Sequence, residues 1–174
     1  MNIYALSSGK GPSGIAIIRL SGKDTYKIAQ LITKTNSLDT KSVNFCKFYN
    51  PEDNCLIDEG LLLWFPGPNS FTGDDLAEFH IHGSNAVIEH FLKILSKQQN
   101  CRMAEPGEFT KTAFHNNKID LIEAESIGDL IHSETELQRQ QAINFVQGNA
   151  SGYYNELRDK LIKSLAYIEA KIDF

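Results

Sequence analysis

The stretch Leu76-Ala77-Glu78-Phe79-His80-Ile81-His82-Gly83 decides the fold class, because its apolar and polar residues alternate strictly. Alternation of this kind places successive side chains on opposite faces of a β-strand. The apolar residues therefore face a core, while Glu78, His80 and His82 share the other face. The glycine ends the strand, and Ser84 can cap a following helix with an apolar face.

The segments on either side of this strand mix further strand and helix patterns. Apolar runs predict three more strands, at 14–20, 43–49 and 60–65. Helical spacing of apolar residues predicts a helix over 24–34, and a further, short helix follows a turn at 104–110. Pro66 to Gly73 contains two prolines and two glycines, which excludes a regular element and predicts a restricted loop, either functional or a plain connector. From Asp120 onward the patterns are helical, so the residues alone predict an α+β domain followed by helices.

The last helix carries one continuous apolar stripe. Its members lie three or four positions apart: Leu157, Leu161, Leu165, Ile168 and Ile172. Such a stripe predicts a helix that packs against another element. Because no glycine or proline stop signal precedes Phe174, we expect the chain to be a fragment of a longer protein. The alternative is a natural C-terminal helix that frays at its end.

The composition excludes several classes of protein. The 174 residues carry 17 lysines and arginines against 22 aspartates and glutamates, a net charge of −5, which is ordinary for a globular chain and disfavours a free-standing nucleic-acid binder. No apolar run reaches the roughly 18–20 residues that a membrane span needs. Residues 1–5 lack the basic segment of a secretory signal. Three cysteines without a CxxC pair predict reduced thiols in a cytoplasmic protein.

Three residues could carry a binding function, and each also has a plainer interpretation. Arg19 lies at the end of an apolar strand and needs an anionic or carbonyl partner, which a structural salt bridge would equally supply. Glu78 could accept two parallel hydrogen bonds from the edge of a pterin, or it could lie on a solvated sheet face. Lys118 precedes a helix at a domain junction, where a lone lysine is usually a surface charge.

Glu78, His80 and His82 also have the spacing of a metal site, because residues i, i+2 and i+4 of a strand share one face. The pattern is weak, since strand alternation produces such triples by chance. Residues 9–14 do not fit the phosphate-binding motif GxxxxGK[ST], and the chain has no GxSxG nucleophile motif. The residues alone therefore predict a polar pocket and no reaction.

The chain resembles the N-terminal region of the bacterial tRNA-modification GTPases called MnmE or TrmE, over essentially its whole length. The resemblance rests on motifs in the family's order: residues 14–22, 63–75, 82–83, 106–110 with 113–114, 118–125 and 169–174. Several ordered motifs are far more specific than one. Three departures stand out: Ser84 replaces a frequent second glycine, His80 occupies a position where other members vary and is assigned no role, and Ser8-Gly9-Lys10 is close to the family's usual loop without being identical.

The resemblance implies a fold and a division of the chain. Residues 1–117 would form a mixed sheet with packed helices, similar to tetrahydrofolate-binding domains, which binds 5-formyltetrahydrofolate and forms a homodimer. Residues 118–174 would be the first part of an all-α helical domain into which a Ras-like GTPase domain is inserted. The sites for GTP, magnesium and potassium belong to that absent domain, so we expect no GTP hydrolysis from these residues alone.

The resemblance also implies a function and a site. In the intact family protein, GTP hydrolysis is coupled to modification of the C5 position of the wobble uridine of certain tRNAs, together with the flavoprotein MnmG, also called GidA. A reduced folate supplies the one-carbon unit, and its contacts fall on Arg19, Glu78 and Lys118, with no catalytic residue assigned to this segment. Two alternatives stay open: a dimerisation scaffold that does not use folate, and a metal-binding module at Glu78, His80 and His82.

Overall fold

The computed structural model describes residues 1–9, 11–40 and 42–173, which form two compact units that divide after Lys118. The sequence-based boundary, after residue 117, falls one residue earlier. Lys118 belongs to the first unit because its backbone N–H donates to the carbonyl oxygen of Ala113 at 2.9 Å. The lysine is thereby tied to the end of the helix that precedes it.

A six-stranded sheet forms the centre of the described part of the first unit. Its strands are β1 (Asn2–Leu6), β2 (Ser13–Ser21), β3 (Asn44–Tyr49), β4 (Leu56–Phe65), β5 (Leu76–Gly83) and β6 (Cys101–Met103). Their spatial order is β3-β4-β5-β2-β1-β6, and neighbours are antiparallel except for the parallel pair β1 and β6. The sheet is therefore mixed, which confirms the predicted α+β class. The sequence patterns did not reveal β1 and β6.

The helices of this unit are α1 (Thr25–Thr33), α2 (Asn85–Ser96) and α3 (Glu108–His115). Residues of α1 and α2 join those of the strands in one apolar core, at whose centre the rings of Phe48, Phe79 and Phe91 lie 5.0–5.8 Å apart. Burying an aromatic side chain of this size contributes about 1.5–3 kcal/mol. Ser84 caps α2 as predicted, because its Oγ accepts a hydrogen bond from the backbone N–H of Val87.

The alternation that predicted β5 is visible in its burial. Ala77, Phe79 and Ile81 are at most 2% exposed and belong to the core. Glu78 and His80 are partly exposed and His82 is exposed, so these three side chains lie on the face of the sheet away from the core. This second face carries the candidate site.

The second unit contains three helices among its described residues: α4 (Leu121–Ile131), α5 (Glu136–Val146) and α6 (Asn149–Asp173). Capping boxes begin two of them, with Asp120 and Glu123 bonded reciprocally at α4 and Thr135 and Gln138 at α5. The apolar stripe of α6 has the predicted spacing, but its side chains are exposed, so the expected packing is not seen. None of the helices in the described part of the chain is long and apolar enough to cross a bilayer.

Candidate functional site

An ion pair between β2 and β5 forms the centre of the candidate site. The antiparallel register places Arg19 directly opposite Glu78. The guanidinium donates twice to one carboxylate oxygen, from Nε at 2.9 Å and from Nη2 at 2.6 Å, so both contacts fall on Glu78 Oε1. The side chains are 27% and 16% exposed. Charge-assisted hydrogen bonds between partly buried groups are stronger than hydrogen bonds between neutral groups. This pair therefore holds both side chains in place.

Two aromatic rings flank the guanidinium. Its central carbon lies 5.7 Å from the centroid of Phe71 and 5.5 Å from that of Phe109. Both distances are within the range of a cation–π interaction. Phe71 belongs to the loop at residues 66–75, and Phe109 to the first turn of α3. The sequence motifs contain both residues, but no spacing signal indicates that either one meets Arg19.

Hydrogen bonds attach the loop 66–75 to the strands beside it. Ser21 Oγ and Thr72 Oγ1 are 2.7 Å apart in a buried contact at the end of β2. The backbone N–H of Gly22, just after β2, donates to the carbonyl of Asp75 at 2.9 Å. Within the loop, the N–H of Gly67 donates to the Asp75 carboxylate at 2.9 Å. The predicted irregular loop is confirmed, and these bonds fix it next to Arg19.

Lys118 contacts the same loop. Its Nζ donates to the carbonyl oxygen of Pro68 at 2.9 Å, and Asn116 Nδ2 donates to the carbonyl of Thr72 at 2.7 Å. Gly73 lies between them with φ +81°, and a Cβ atom there would lie 3.1 Å from Asn116 Cβ and 3.2 Å from Lys118 Cγ. Arg19 and Glu78 therefore contact each other directly, whereas Lys118 is joined to them through the loop.

The beginning of α3 is anchored by a second ion pair. Arg102 of β6 holds Glu108 by two contacts, one of them from Nη1 to Oε2 at 2.8 Å, and the backbone N–H of Glu105 donates to the same oxygen at 2.8 Å. The Arg102 hydrogen bond, aided by the Glu105 N–H, holds the pKa of Glu108 below its usual value. Glu108 precedes Phe109, so the anchored carboxylate positions the ring that faces Arg19.

The two histidines of β5 have different surroundings. His82 Nδ1 lies 2.8 Å from Asp58 Oδ1, and the His82 backbone N–H donates to Asp58 Oδ2 at 2.7 Å. His80 Nε2 lies 3.8 Å from Glu78 Oε2, too far for a hydrogen bond. Within the described residues no group of three histidine, cysteine, aspartate or glutamate side chains could hold a metal ion. The geometry therefore does not support the metal-binding alternative.

The arrangement is chemically suited to a flat, polar ligand. It combines two cationic groups, one carboxylate with Oε2 clear of the Arg19 contacts, two aromatic rings and the carbonyl groups of a fixed loop. Donors at the edge of a heteroaromatic ring match the carboxylate, while carbonyl or carboxylate oxygens of a ligand match the cations.

Comparison with known proteins gives the family. Residues 2–118 match the family described as GTP-binding protein TrmE N-terminus, and residues 121–174 match the MnmE helical domain. The chain is 56% identical over 174 residues to tRNA modification GTPase MnmE of Pelagibacter ubique, covering 100% of this chain and 39% of that protein.

Mitochondrial proteins of eukaryotes are similar as well. The chain is 43% identical over 178 residues to tRNA modification GTPase gtpbp3 of Dictyostelium discoideum, covering 99% of this chain and 35% of that protein. It is 45% identical over 172 residues to 5-taurinomethyluridine-[tRNA] synthase subunit GTPB3 of Danio rerio, covering 99% of this chain and 34% of that protein. The chain thus spans less than two fifths of the length of each of these relatives. Because the two family matches cover nearly the whole chain and follow each other in order, the chain belongs to the tRNA-modification GTPase family MnmE/TrmE.

Proposed function

We propose that these residues bind a reduced folate of the 5-formyltetrahydrofolate type, with Arg19, Glu78 and Lys118 as its main contacts. The observation that carries the proposal is the arrangement around the loop 66–75. Arg19 is paired with Glu78 and faces Phe71 of the loop, while Lys118 donates to Pro68 of the same loop. Arg19 and Lys118 thus contact the same loop and Glu78 contacts Arg19, which supports a joint site for three residues that are far apart in sequence.

The proposed division of labour follows from the charges. Glu78 accepts hydrogen bonds from the amino edge of the pterin, because a carboxylate is an acceptor and the pterin edge offers N–H donors. Arg19 and Lys118 meet the carbonyl or glutamate-tail oxygens. Arg19 donates twice to Glu78 Oε1, so a clasp that uses both carboxylate oxygens requires this ion pair to rearrange.

We further propose that this segment serves an intact tRNA-modifying GTPase that works in the cytoplasm. GTP hydrolysis, with its magnesium and potassium ions, belongs to residues outside this chain, which contains no GxxxxGK[ST] motif. Together with an MnmG-type flavoprotein, the intact protein modifies the C5 position of the wobble uridine of certain tRNAs. The names of the relatives, tRNA modification GTPase and 5-taurinomethyluridine-[tRNA] synthase subunit, support this proposal.

The protein also acts as a homodimer in this proposal. Large apolar side chains are exposed on the sheet face away from the core, among them Ile15 of β2, Phe45 of β3 and Leu61 of β4. A second copy of the chain is the partner that would cover them. The same face favours the second candidate function, a dimerisation scaffold that does not use folate.

Calorimetric titration of the intact protein with 5-formyltetrahydrofolate separates these functions. Replacing Glu78 by alanine should weaken binding by ~2–5 kcal/mol, roughly 30-fold to several-thousand-fold, because it removes one partner of a partly buried charged contact. Glu52→Ala is the matched control, since Glu52 pairs with Lys97 in a largely exposed contact outside the sheet. Unchanged affinity in Glu78→Ala removes Glu78 from the site. A wild-type dimer that binds no folate contradicts the folate proposal and favours the dimerisation scaffold.

A further inference from the structure

His80 has a buried nitrogen that the folded protein leaves without a hydrogen bond. Its Nε2 atom is shielded from solvent and has no hydrogen-bond partner among the described residues. Buried side-chain polar atoms nearly always have a partner, so such an exception calls for an explanation. A carboxylate oxygen, Glu78 Oε2, lies 3.8 Å away.

The two oxygens of Glu78 are in different situations. Oε1 accepts two hydrogen bonds from Arg19, which occupies both of its lone pairs. Oε2 is the oxygen that can turn towards a ligand, and His80 lies beside it on the same face of β5. A decrease of about 1 Å in the Nε2–Oε2 distance would form a normal hydrogen bond, and polar contacts at binding sites commonly tighten when the ligand is bound.

We propose that His80 is a positioning residue for Glu78. In the tautomer with its proton on Nε2, His80 donates to Oε2 and holds the carboxylate from one side, while Arg19 holds it from the other. One lone pair of Oε2 then remains, so the carboxylate offers the ligand one strong acceptor site rather than two. This inference rests on the proposed folate site, and it specifies which lone pair of the Glu78 carboxylate is available to the ligand.

His82 provides the contrast on the same strand. Its ring nitrogen bonds to Asp58, away from Glu78, and its side chain is exposed. Of the two histidines on this strand face, His82 is hydrogen-bonded to a carboxylate, whereas His80 Nε2 has no such bond among the described residues and adjoins the candidate site.

Titration of the intact protein with 5-formyltetrahydrofolate tests the proposal through a set of variants. Glutamine at position 80 can place an amide N–H near the position of Nε2, whereas asparagine reaches only as far as Nδ1. His80→Asn and His80→Leu should raise the dissociation constant roughly five- to tenfold, while His80→Gln stays within about twofold of the wild type. His82→Asn, the matched control, should bind as the wild type does. Wild-type affinity in His80→Asn and His80→Leu, or an equal loss in His80→Gln, overturns the proposal.

A second measurement does not depend on folate binding. Nitrogen-15 NMR of histidine-labelled intact protein reports which ring nitrogen carries the proton, and we expect Nε2 of His80 to be protonated, with a change of its signal in Glu78→Gln. An unprotonated Nε2 contradicts the role of His80. If wild-type protein fails to bind folate while Nε2 is protonated and responds to Glu78→Gln, the proposed function fails and the His80–Glu78 contact stands.

Discussion

Arg19 and Glu78 are directly opposed residues of two antiparallel strands, and their side chains meet on the sheet face away from the core. They are 59 positions apart in the chain, so the register of β2 against β5 creates the contact. A shift of one residue in that register would turn every side chain of the shifted strand to the other face. The core packing that fixes the register therefore also maintains the candidate site.

Glu78→Gln tests how much this ion pair contributes to stability. The substitution keeps the shape of the side chain but leaves the partly buried guanidinium of Arg19 without a charged partner. We expect the free energy of unfolding to fall by about 1–3 kcal/mol, measured by urea denaturation. Glu52→Gln, in the largely exposed pair with Lys97, should change it by less than about 1 kcal/mol. Equal losses in the two variants would show that the Arg19 pair is no more than a surface contact.

Gly73→Ala tests the contact between the loop 66–75 and Lys118. Gly73 has φ +81°, and a methyl group there would lie 3.1–3.3 Å from side-chain carbons of Asn116 and Lys118. Backbone strain and crowding together should destabilise the protein by about 1–3 kcal/mol, measured by urea denaturation, and should lower the affinity for 5-formyltetrahydrofolate.

Gly107→Ala is the control for that experiment. Gly107 has a similar φ of +76°, but an added Cβ would meet no atom within 4 Å. The Gly107→Ala variant therefore reports the backbone strain without any crowding against Lys118. We expect it to lower the free energy of unfolding by less than Gly73→Ala does. If it destabilises the protein as much as Gly73→Ala does, the close approach of Lys118 has no energetic consequence.

Lys118→Met tests the cation that faces the loop. Methionine retains an apolar stem but loses the Nζ that donates to the Pro68 carbonyl. Because that contact is exposed, we expect a stability loss below about 1 kcal/mol but a folate affinity reduced at least tenfold. Calorimetric titration measures the second effect, with Lys111→Met on the exposed side of α3 as the control. A loss of affinity no greater than that of the control would exclude Lys118 from the site.

The patterns in the sequence predicted the two strands that carry Arg19 and Glu78 and, for the strand of Glu78, the face that this residue occupies. A period of two is enough for this, because it assigns each side chain to one face before any partner is known. The salt bridge offered as an alternative for Arg19 is present. That this salt bridge coexists with ligand binding stays a prediction, and so does the role of Lys118.

Other features could not be predicted, because they depend on contacts between distant segments. Strands β1 and β6 have five and three residues, and their parallel pairing joins the two ends of the first unit. The rings of Phe71 and Phe109 meet Arg19 because a loop and a helix start are tied down elsewhere, by Ser21 and by Arg102. Neither of these two contacts is indicated by the local spacing of residues in the sequence.

The Arg102–Glu108 pair should make stability depend on pH in acid. Because the pKa of Glu108 is lowered in the folded state, folded protein binds this proton more weakly than unfolded protein does. The contribution is therefore complete above the usual glutamate pKa and is lost as the pH falls through the folded value. At neutral pH, Glu108→Gln should lower the free energy of unfolding by about 0.5–1 kcal/mol.

Urea denaturation at a series of pH values measures this dependence. The difference between wild type and Glu108→Gln should shrink steadily as the solution becomes acidic. Glu89→Gln, at an exposed position of α2, serves as the control and should not reproduce the change. A difference that stays constant across the acid range would rule out the linkage to Glu108.

Phe45→Glu tests the proposed dimer face. Phe45 is 72% exposed on β3, on the same sheet face as Ile15, which is 64% exposed. If a second copy covers this face, a charge at position 45 is buried without a partner, and the dimer dissociation constant should rise roughly 10- to 100-fold, about 1.4–2.7 kcal/mol. Sedimentation equilibrium of the intact protein measures the change. Leu31→Glu, on the exposed side of α1, should leave the dimer intact, so equal dissociation in the two variants would place the interface elsewhere.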